Sequence, residues 1–520
     1  MDRGASERGD TYNATVELLD RTLARLPADK PAFIDRSRTV TYSALKDETC
    51  RVANLLHRLG LRREQRLGML MLDTVDFPAV FLGAIRAGVV PVPLNTLLTA
   101  EQYAYMLKDS RARSVFVSAP LLPAIQPVIP RLSDLETVVV IGEGASPPLL
   151  DYASSVASES ADFEAAATHP DEPAFWLYSS GSTGRPKGVK HVQTSLMATA
   201  ELFGKGVLGM REDDVVFSAA KLFFAYGLGN GLTFPLASGA TAVLLDERPT
   251  PRAVFDVMKR DRPTIFCGAA TGFAGMLADP ECSPANGSDR LRLCLSAGEA
   301  LPEHVGRMWK ERFGVDIIDG IGSTEMLHIY VSNVPGDVKY GTTGRPVPGY
   351  DVRLVDEDER ETPDGEIGEL LVRGPSSADG YWNQREKSRR TFEGSWMRTG
   401  DKFTRDHEGR YTYCGRADDM FKVSGIWVSP FEVESALITH SAVLEAAVVP
   451  AADLDGLLKP KAYVVLRDNV EAADLAGTLK EHVKTSIGAW KYPRWIEFVD
   501  GLPKTATGKI QRFKLREGAL

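Results

Sequence analysis

The sequence lacks the features that mark membrane, secreted and nucleic-acid-binding proteins. It has no uninterrupted apolar stretch of roughly 18 residues, the length that a transmembrane helix needs. Its formal net charge is −9, so it has no basic excess for nucleic acid or an anionic membrane. Its first residues lack the apolar core of a secretory signal. We therefore expect no nucleic-acid partner, no membrane partner and a cytoplasmic location.

Cysteine is scarce, and the commonest nucleotide motif is missing. The five cysteines are odd in number and lack C-x-x-C spacing, which favours reduced thiols over disulfides or a zinc site. The P-loop pattern G-x-x-x-x-G-K-[ST] fails as well, because Lys187 is followed by Gly188. This disfavours P-loop kinases and GTPases.

The length of 520 residues and the 43% hydrophobic content indicate a globular protein with several domains or subdomains.

A loop rich in glycine, hydroxyl groups and lysine follows an apolar segment. Residues Tyr178–His191 read YSSGSTGRPKGVKH, and the run Ala174–Tyr178 before the loop predicts a buried strand. Glycines let backbone amides approach a ligand, hydroxyls add donors, and Lys187 adds a positive charge. A flexible surface linker is the alternative, but a linker does not need an apolar strand in front of it. The loop therefore predicts a polyphosphate site.

Four further segments carry groups suited to a nucleotide. Leu295–Pro302 (LSAGEALP) and Asp319–Glu325 (DGIGSTE) are typical of strands that end in small residues, and the second offers a carboxylate for Mg²⁺. Arg398–Asp401 (RTGD), before Gly415–Asp419 (GRADD), offers a carboxylate for a ribose diol, and Pro503–Lys509 (PKTATGK) carries two lysines. Singly, each is explained by a turn or a solvated loop. Their occurrence together indicates nucleotide chemistry.

The pattern of secondary structure predicts an α/β fold. Strands such as Arg66–Leu72 alternate with helices such as Phe77–Ala87, which favours parallel sheets with crossover connections. Short strands between Gly, Pro and Asp turns indicate a small antiparallel β-subdomain at about residues 341–413. A last αβ unit begins near Phe421.

The ordered set of motifs resembles the adenylate-forming enzymes, which comprise acyl- and aryl-CoA synthetases, adenylation domains and luciferases. The resemblance spans about residues 30–515 and is nearest to the benzoate-CoA ligase group, through the segments KLFFAYGLGN (221–230), DGIGSTEMLHIY (319–330) and VSGIWVSPFEVE (423–434). It implies a large N-terminal domain, 1–415, with two αβ subdomains and a small β-subdomain. It also implies a small mobile α+β C-terminal domain, 416–520, with a hinge near Asp418.

The resemblance implies a two-step reaction with ATP, Mg²⁺ and coenzyme A. A carboxylate attacks the α-phosphate to form an acyl-AMP, and the CoA thiol then displaces AMP. The expected substrate is benzoate or a simply substituted benzoate. The alternatives are an anthranilate- or hydroxybenzoate-CoA ligase, an aryl-adenylating enzyme that loads a carrier protein, a light-emitting monooxygenase and an ATP-binding regulator. The expected partners are these small molecules, and a homodimer is left open.

The resemblance also assigns roles to individual residues. The catalytic set is Lys187, Thr324, Glu325 and Lys509, with Glu325 also binding Mg²⁺. The ATP/AMP-binding set is Ser180, Gly181, Ser182, Thr183, Gly184, Ala297, Gly298, Glu299, Asp319, Gly320, Ile321, Gly322, Asp401 and Arg416. The hinge and CoA-side set is Asp418, Lys422, Ser424 and Gly425.

The pocket for the acid is expected to be flat and apolar. Its residues are Phe224, Ala225, Tyr226, Gly227, His328 and Ile329. Aromatic and small residues suit an aromatic ring, whereas the ammonium of an amino acid would need a buried carboxylate. A hydroxyl or amino group on the ring remains an option, with His328 or Tyr226 as its hydrogen-bond partner.

Two positions depart from the pattern of the family. Ile321 stands where many members have a tyrosine, so a ring stacked on adenine from that position is not expected. Phe224 stands where many CoA synthetases have a histidine, which puts a polar gate for the carboxylate in doubt.

Overall fold

The described part of the chain divides into two compact units. The computed structural model describes residues 11–179, 185–423, 426–453, 457–467, 470, 472, 474–488, 491–504 and 510–516, without the side chains of 422, 426 and 427. The described residues within Met1–Val352 and Val372–Met397 form the first unit, and those within Arg353–Leu371 and Arg398–Leu520 form the second.

The first sheet of the first unit is parallel throughout. Its five strands are, in order, Val90–Pro93, Arg66–Leu70, Ala112–Ser118, Thr137–Ile141 and Leu150–Asp151. The helix Tyr42–Arg58 precedes its strands in the sequence, and the helices Asp76–Arg86 and Ala100–Ser110 lie between them. The Thr99 hydroxyl accepts a hydrogen bond from Gln102 N in a capping box, which fixes the start of the third helix. The predicted alternation of strands and helices is confirmed.

The second sheet of the first unit has nine strands and a parallel centre. They are, in order, Arg345–Pro346, Ile329–Ser332, Ile317–Gly322, Leu293–Ala297, Ile265–Gly268, Val215–Ser218, Thr241–Val243, Pro31–Ile34 and Thr39–Thr41. Strands pair antiparallel only at the two edges among the described pairs. Phe217, Phe266, Phe273 and Trp309 are buried in its core. Residues of two predicted motifs meet here, because Ala297 pairs with Gly320 at the ends of neighbouring parallel strands.

A third, antiparallel sheet carries the phosphate-loop segment. Its strands are Gly380–Tyr381, Lys187–Val192 and Pro173–Ser179. The predicted buried strand before the loop is thus confirmed. The chain comes back as the paired strand that begins at Lys187, so the loop joins two strands of a hairpin, unlike the strand-to-helix loop of a P-loop protein.

The first unit also contains shorter helices. The α-helices are Arg21–Leu23, Leu122–Ile125, Tyr152–Ala157, Ser195–Thr199, Ala225–Leu228, Phe234–Ser238, Pro251–Asp261, Ala270–Ala278, Glu303–Phe313 and Arg385–Thr391. Val16–Asp20, Ala200–Lys205 and Gly229–Thr233 are π-helical, and Ala119–Leu121 and Ile129–Arg131 are 3₁₀-helical. Within the described ranges, no helix is both long and apolar enough to cross a bilayer.

The second unit contains most of a small five-stranded sheet and an αβ region. The sheet comprises Asp351–Val355, Gly368–Arg373, Phe392–Glu393, Trp396–Arg405 and Tyr411–Arg416. A hairpin of Phe421–Val423 with Ile426–Val428 follows. The αβ region has strands Val443–Ala452, Leu458–Leu466 and Trp495–Phe498 and helices Pro430–Ile438, Leu475–Ile487 and Arg512–Arg516. Its core includes the buried side chains of Val433, Leu437, Val448, Val464 and Leu479.

Candidate active site

Lys187 and Glu325 form a buried pair of opposite charges in the first unit. The Lys187 ammonium lies 3.7 Å from Oε1 of Glu325, and the two side chains are 11% and 14% exposed. The same carboxylate oxygen accepts hydrogen bonds from the hydroxyls of Tyr381, at 2.9 Å, and Ser179, at 3.4 Å. We call Ser179, Lys187, Glu325 and Tyr381 the charged cluster. Each buried charge in it has a partner, which offsets much of the cost of removing it from water.

Tyr381 is a residue of this cluster that the sequence analysis missed. The Lys187 ammonium lies 3.4 Å from the Tyr381 hydroxyl and 4.4 Å from the centre of its ring. Tyr381 reaches this position because the strand Gly380–Tyr381 pairs with Val189 and Lys190. No spacing in the sequence links two residues that lie almost two hundred positions apart.

His191 fixes the backbone beside Glu325. Its Nε2 lies 2.8 Å from the carbonyl oxygen of Thr324, and its ring stacks on Phe175 at 5.0 Å. A carbonyl can only accept, so Nε2 carries the proton. Burial lowers the pKa of His191 to about 4, and its ring is therefore neutral at pH 7. The sequence predicted no role for this residue.

Two neighbouring strands end in glycines that have different surroundings. Gly298 has a φ of +88° and a Cβ there would meet nothing within 4 Å, whereas a Cβ on Gly322 would lie 2.5 Å from the His328 carbonyl oxygen. Glu299 accepts a hydrogen bond from the Thr271 hydroxyl at 2.9 Å. Ile321 lies one residue before Gly322 and is partly exposed.

Asp319 is a buried carboxyl at the same strand end. It is 7% exposed, and its Oδ1 has no hydrogen-bond partner among the described residues. Burial raises the pKa of Asp319 well above its usual range. Its unpartnered oxygen can accept a hydrogen bond from a ligand.

The aromatic cluster consists of Phe203, Tyr226, Phe234 and His328. The ring of His328 lies 5.1 Å from that of Phe203, 4.5 Å from that of Phe234 and 5.7 Å from that of Tyr226. His328 is 3% exposed, and neither of its ring nitrogens has a hydrogen-bond partner in the described part of the chain. Burial lowers the pKa of His328 to about 3, so the whole cluster is uncharged. Phe203 and Phe234 were not predicted.

The predicted pocket segment 224–227 packs closely against its surroundings. The Tyr226 hydroxyl lies 3.1 Å from the carbonyl oxygen of Gly268 and 3.0 Å from that of Leu295, so its proton is committed to the protein. The Phe224 ring lies 4.5 Å from that of Phe223. Ala225 is buried, and a Cβ on Gly320 would lie 2.9 Å from the Ile329 side chain. The Tyr226 hydroxyl is therefore not available to a substrate.

The second unit brings Asp401 and Arg416 together. They are opposite each other in an antiparallel pair of strands, and Arg416 Nη1 lies 3.1 Å from Asp401 Oδ1. Burial alone would lower the pKa of Arg416, but the Asp401 charge and its neighbours raise it, so the pair is ionic. Asp418 follows in a turn, and its carbonyl oxygen accepts a hydrogen bond from Arg516 at 3.1 Å.

Several predicted residues lie outside the described part of the chain. They are Ser180, Gly181, Ser182, Thr183, Gly184, Ser424, Gly425 and Lys509, together with the side chain of Lys422. The backbone of Lys422 belongs to the strand Phe421–Val423.

Two family models match this chain and decide its family. One, described as AMP-binding enzyme, matches residues 19–382, which is more than half of the sequence. The chain belongs to the AMP-binding enzyme family. A second model, the AMP-binding enzyme C-terminal domain, matches residues 432–509. The family resemblance expected from the motifs is therefore confirmed.

Individual members of the AMP-binding family are similar over almost the whole chain. A benzoate–CoA ligase from Thauera aromatica is 57% identical over 98% of this chain and 96% of its own length. A 4-hydroxybenzoate–CoA/benzoate–CoA ligase from Rhodopseudomonas palustris is 55% identical over 98% and 94%. The crystal structure of the anthranilate CoA ligase AuaEII in complex with anthranoyl-AMP is 44% identical, covers 99% of both chains and superposes with a TM-score of 0.94. The predicted α/β fold class is confirmed.

Proposed function

We propose that the chain joins benzoate or a simply substituted benzoate to coenzyme A through an acyl-AMP, releasing AMP and pyrophosphate. The observation that carries this proposal lies in one short segment. Thr324 and Glu325 lie beside Lys187 and His191, and four residues after Thr324 the same segment supplies His328 to the aromatic cluster. Phosphate chemistry and an aromatic ring thus have adjoining sites. The similar ligases named above support the same assignment.

The charged cluster is suited to the first half-reaction. An anionic carboxylate must approach a polyphosphate, and fixed positive charge aimed at the phosphates lowers that barrier. Lys187 is held over the Tyr381 ring by a cation–π contact and opposes Glu325, so its ammonium is oriented before ATP binds. We assign the α-phosphate to Thr324 and the β- and γ-phosphates to Ser180, Gly181, Ser182, Thr183, Gly184 and Lys187.

Glu325 suits a Mg²⁺ ion that arrives with the nucleotide. No group of three or more His, Cys, Asp or Glu side chains in the described part of the chain forms a metal cage. Mg²⁺ in nucleotide enzymes typically takes one or two carboxylates together with phosphate oxygens, and a single oriented carboxylate meets that requirement. When bound, the ion would neutralise phosphate charge. Tyr381 and Ser179 hold the carboxylate that would bind it.

The remaining residues complete the nucleotide site. We place adenine against Ala297, Gly298, Glu299, Asp319, Gly320, Ile321 and Gly322, where Gly298 leaves the backbone accessible and Asp319 offers an unpartnered carboxyl oxygen. We assign the ribose to Asp401 and Arg416.

The aromatic cluster and its neighbours are the proposed site for the acid. We assign the ring of the substrate to Phe224, Ala225, Tyr226, Gly227, His328 and Ile329. Because the Tyr226 proton is already donated to a backbone carbonyl, His328 is the better candidate to hydrogen-bond a ring substituent. This favours an anthranilate- or hydroxybenzoate-CoA ligase as the second candidate, in line with the similar anthranilate enzyme.

The test of the function is AMP release across a panel of acids. The purified protein would be given ATP, Mg²⁺ and CoA with benzoate, the three hydroxybenzoates, the three aminobenzoates, and hexanoate as an aliphatic control. We expect thioester and AMP in equal amounts with benzoate, and weaker turnover with a subset of substituted rings. Acyl-AMP accumulation without thioester would indicate a carrier-protein acceptor instead of CoA. No AMP with any aryl acid would refute the proposal.

We further propose that the chain has two domains, 1–415 and 416–520. Different residues of the second domain would act at the site in each half-reaction. Lys509 would bridge carboxylate and α-phosphate in the first half-reaction, and a hinge near Asp418 would then present Lys422, Ser424 and Gly425 to the CoA thiol. Lys509→Ala should abolish acyl-AMP formation and largely spare thioester formation from supplied benzoyl-AMP. Equal loss of both half-reactions would contradict the hinge assignment.

The described cysteines are all free thiols, four of them buried, which supports the proposed cytoplasmic location.

A homodimer is a candidate oligomeric state, and sedimentation of the purified protein would test it.

A further inference from the structure

Asp73 is a buried carboxylate with no part in the proposed chemistry. It follows the strand Arg66–Leu70 of the first sheet and is 4% exposed. Its two oxygens lie 3.3 and 3.2 Å from the backbone nitrogen of Leu222, which follows the strand Val215–Ser218 of the second sheet. One side chain thus joins the ends of strands from two different sheets of the first unit.

Lys221, next to Leu222, is held at the same place. Its ammonium donates hydrogen bonds to the carbonyl oxygens of Leu245 and, at 2.7 Å, Glu247, both beyond the strand Thr241–Val243. Burial raises the pKa of Asp73 to about 6, and the positive charge of Lys221 is the largest influence that opposes this rise. An amide could accept the Leu222 N–H equally well, so the charge of Asp73 is best explained by the charge of Lys221.

The anchored turn supports the segment that we assign to the acid. Phe224 N donates to the Lys221 carbonyl at 3.0 Å, and Leu228 N donates to the Phe224 carbonyl at 2.7 Å, which starts the helix Ala225–Leu228. A Cβ on Gly227 would lie 2.1 Å from the Lys221 carbonyl oxygen, so the helix rests directly on the turn. A shift at Lys221 must therefore move the helix as well.

We propose that Asp73 and Lys221 are positioning residues that fix the acid-binding segment 224–227 for its substrate. This inference rests on the proposed function. Asp73 holds the Leu222 amide from one sheet, and Lys221 holds two carbonyls of the other. Neither belongs to the charged cluster or to the residues that we assign to the substrate. Because they act on the acid-binding segment alone, their loss should weaken the binding of the aromatic acid and leave the binding of ATP unchanged.

The test compares two substitutions of Asp73 with a matched control. Asp73→Ala removes the acceptor, whereas Asp73→Asn keeps an acceptor oxygen and removes the charge. The control is Asp214→Asn, because Asp214 is 1% exposed, directly precedes the same strand Val215–Ser218 at its other end and binds Thr264 and Arg292. KM for benzoate and for ATP would be measured in adenylate formation, together with the melting temperature.

We expect Asp73→Ala to raise KM for benzoate about tenfold or more, as for a lost hydrogen bond to a charged group, with KM for ATP within about twofold. The KM for benzoate of Asp73→Asn should lie between those of Asp73→Ala and the unsubstituted protein. Asp214→Asn should lower the melting temperature and leave the ratio of the two KM values unchanged. Equal changes in both KM values, or the same behaviour of Asp73→Ala and Asp214→Asn, would overturn the inference.

Lys221→Met provides a second route if Asp73→Ala does not fold. It removes the contacts with Leu245 and Glu247 and leaves the Leu222 amide bound to Asp73. The same rise in KM for benzoate alone is expected, and an unchanged KM for benzoate would overturn the inference. If the unsubstituted protein forms no thioester with any aryl acid, the proposed function fails instead, so the two failures are distinguishable.

Discussion

The charged cluster and the aromatic cluster bury polar groups in opposite ways. In the charged cluster, the Lys187 ammonium and the Glu325 carboxylate face each other at 3.7 Å. In the aromatic cluster, His328 is surrounded by three rings and is neutral, because burial lowers its pKa to about 3. Paired charge suits a polyanion, and an uncharged wall suits a flat ring.

The two buried histidines make the same contrast on a smaller scale. His191 is neutral but has one partner, the Thr324 carbonyl, which it holds at 2.8 Å. His328 has none among the described residues. An unpartnered buried nitrogen costs stability, and such groups persist where a ligand supplies the partner. The contrast supports the proposal that His328 binds the substrate, whereas His191 holds the backbone.

Among the substitutions that separate the two clusters, Glu325→Gln should have the largest effect on activity. The substitution keeps the shape of the side chain but removes its negative charge. That charge opposes Lys187, and we propose that the carboxylate binds Mg²⁺. We expect adenylate formation to fall by at least about a hundredfold, as for other groups that act on transition-state charge. Pyrophosphate exchange with benzoate would measure it.

The matched control for Glu325→Gln is Asp379→Asn. Asp379 is 56% exposed and pairs with Lys190 at 2.5 Å, next to the same strands. An exposed pair contributes little, so activity should stay within about twofold. If both substitutions had similar effects, the charged cluster would not be the site of phosphate chemistry.

Gly229→Ala should damage the aromatic cluster and spare the charged one. The added Cβ would lie 2.4 Å from Cδ2 of His328. Relieving this overlap must displace the His328 ring, so we expect a loss of about 1–3 kcal/mol in the free energy of unfolding and a rise in KM for benzoate alone. Gly272→Ala is the control, since a Cβ there meets nothing within 4 Å. Equal changes in KM for ATP and benzoate would contradict the separation of the clusters.

Tyr381→Phe should have a moderate effect that is confined to adenylate formation. Phenylalanine keeps the ring under Lys187 and removes the hydroxyl that donates to Glu325. A lost hydrogen bond to a charged group predicts a decrease of about tenfold or somewhat more. Thioester formation from supplied benzoyl-AMP, measured in parallel, should be unchanged.

Tyr350→Phe is the control for Tyr381→Phe. It removes a buried hydroxyl that lies 2.7 Å from Ser376 Oγ and does not belong to the charged cluster. Stability should decrease without loss of activity. An unaffected Tyr381→Phe protein would show that the hydroxyl does not orient Glu325.

The smallest expected effect is on the pH dependence of stability. The folded-state pKa of His328, about 3, lies below the ordinary value of 6.5. The unfolded chain therefore binds the extra proton first, and stability falls as the pH decreases below about 6.5. At pH 5 this contribution is about 2 kcal/mol for one such histidine.

His328→Leu should reduce this acid sensitivity. The melting temperatures of the substituted and unsubstituted proteins would be compared at pH 7 and pH 5. Phe203→Leu, which changes the same cluster without removing a titrating group, should keep the full sensitivity. Equal acid sensitivity of His328→Leu and the unsubstituted protein would show that His328 is not held neutral by burial.

Much of the fold and part of the site follow from local sequence. The apolar run before the phosphate loop, the glycines of Asp319–Glu325 and the alternation of strands with helices all predicted elements that the structure contains. These signals are local, because the turn chemistry of glycine and the periodicity of apolar residues depend on neighbouring positions. For the same reason, the ordered motifs were sufficient to indicate the family.

The partners of the buried polar groups could be identified only in the folded structure. Tyr381 meets Lys187 because two strands far apart in sequence pair with each other, and Asp73 meets Leu222 because two sheets end side by side. The Tyr226 hydroxyl, a candidate for the substrate in the sequence, has carbonyls of two neighbouring strands as its acceptors. Long-range packing selects such partners, and no local spacing in the sequence predicts them. Local sequence thus indicates the chemistry of the site, and packing decides which groups remain for the ligand.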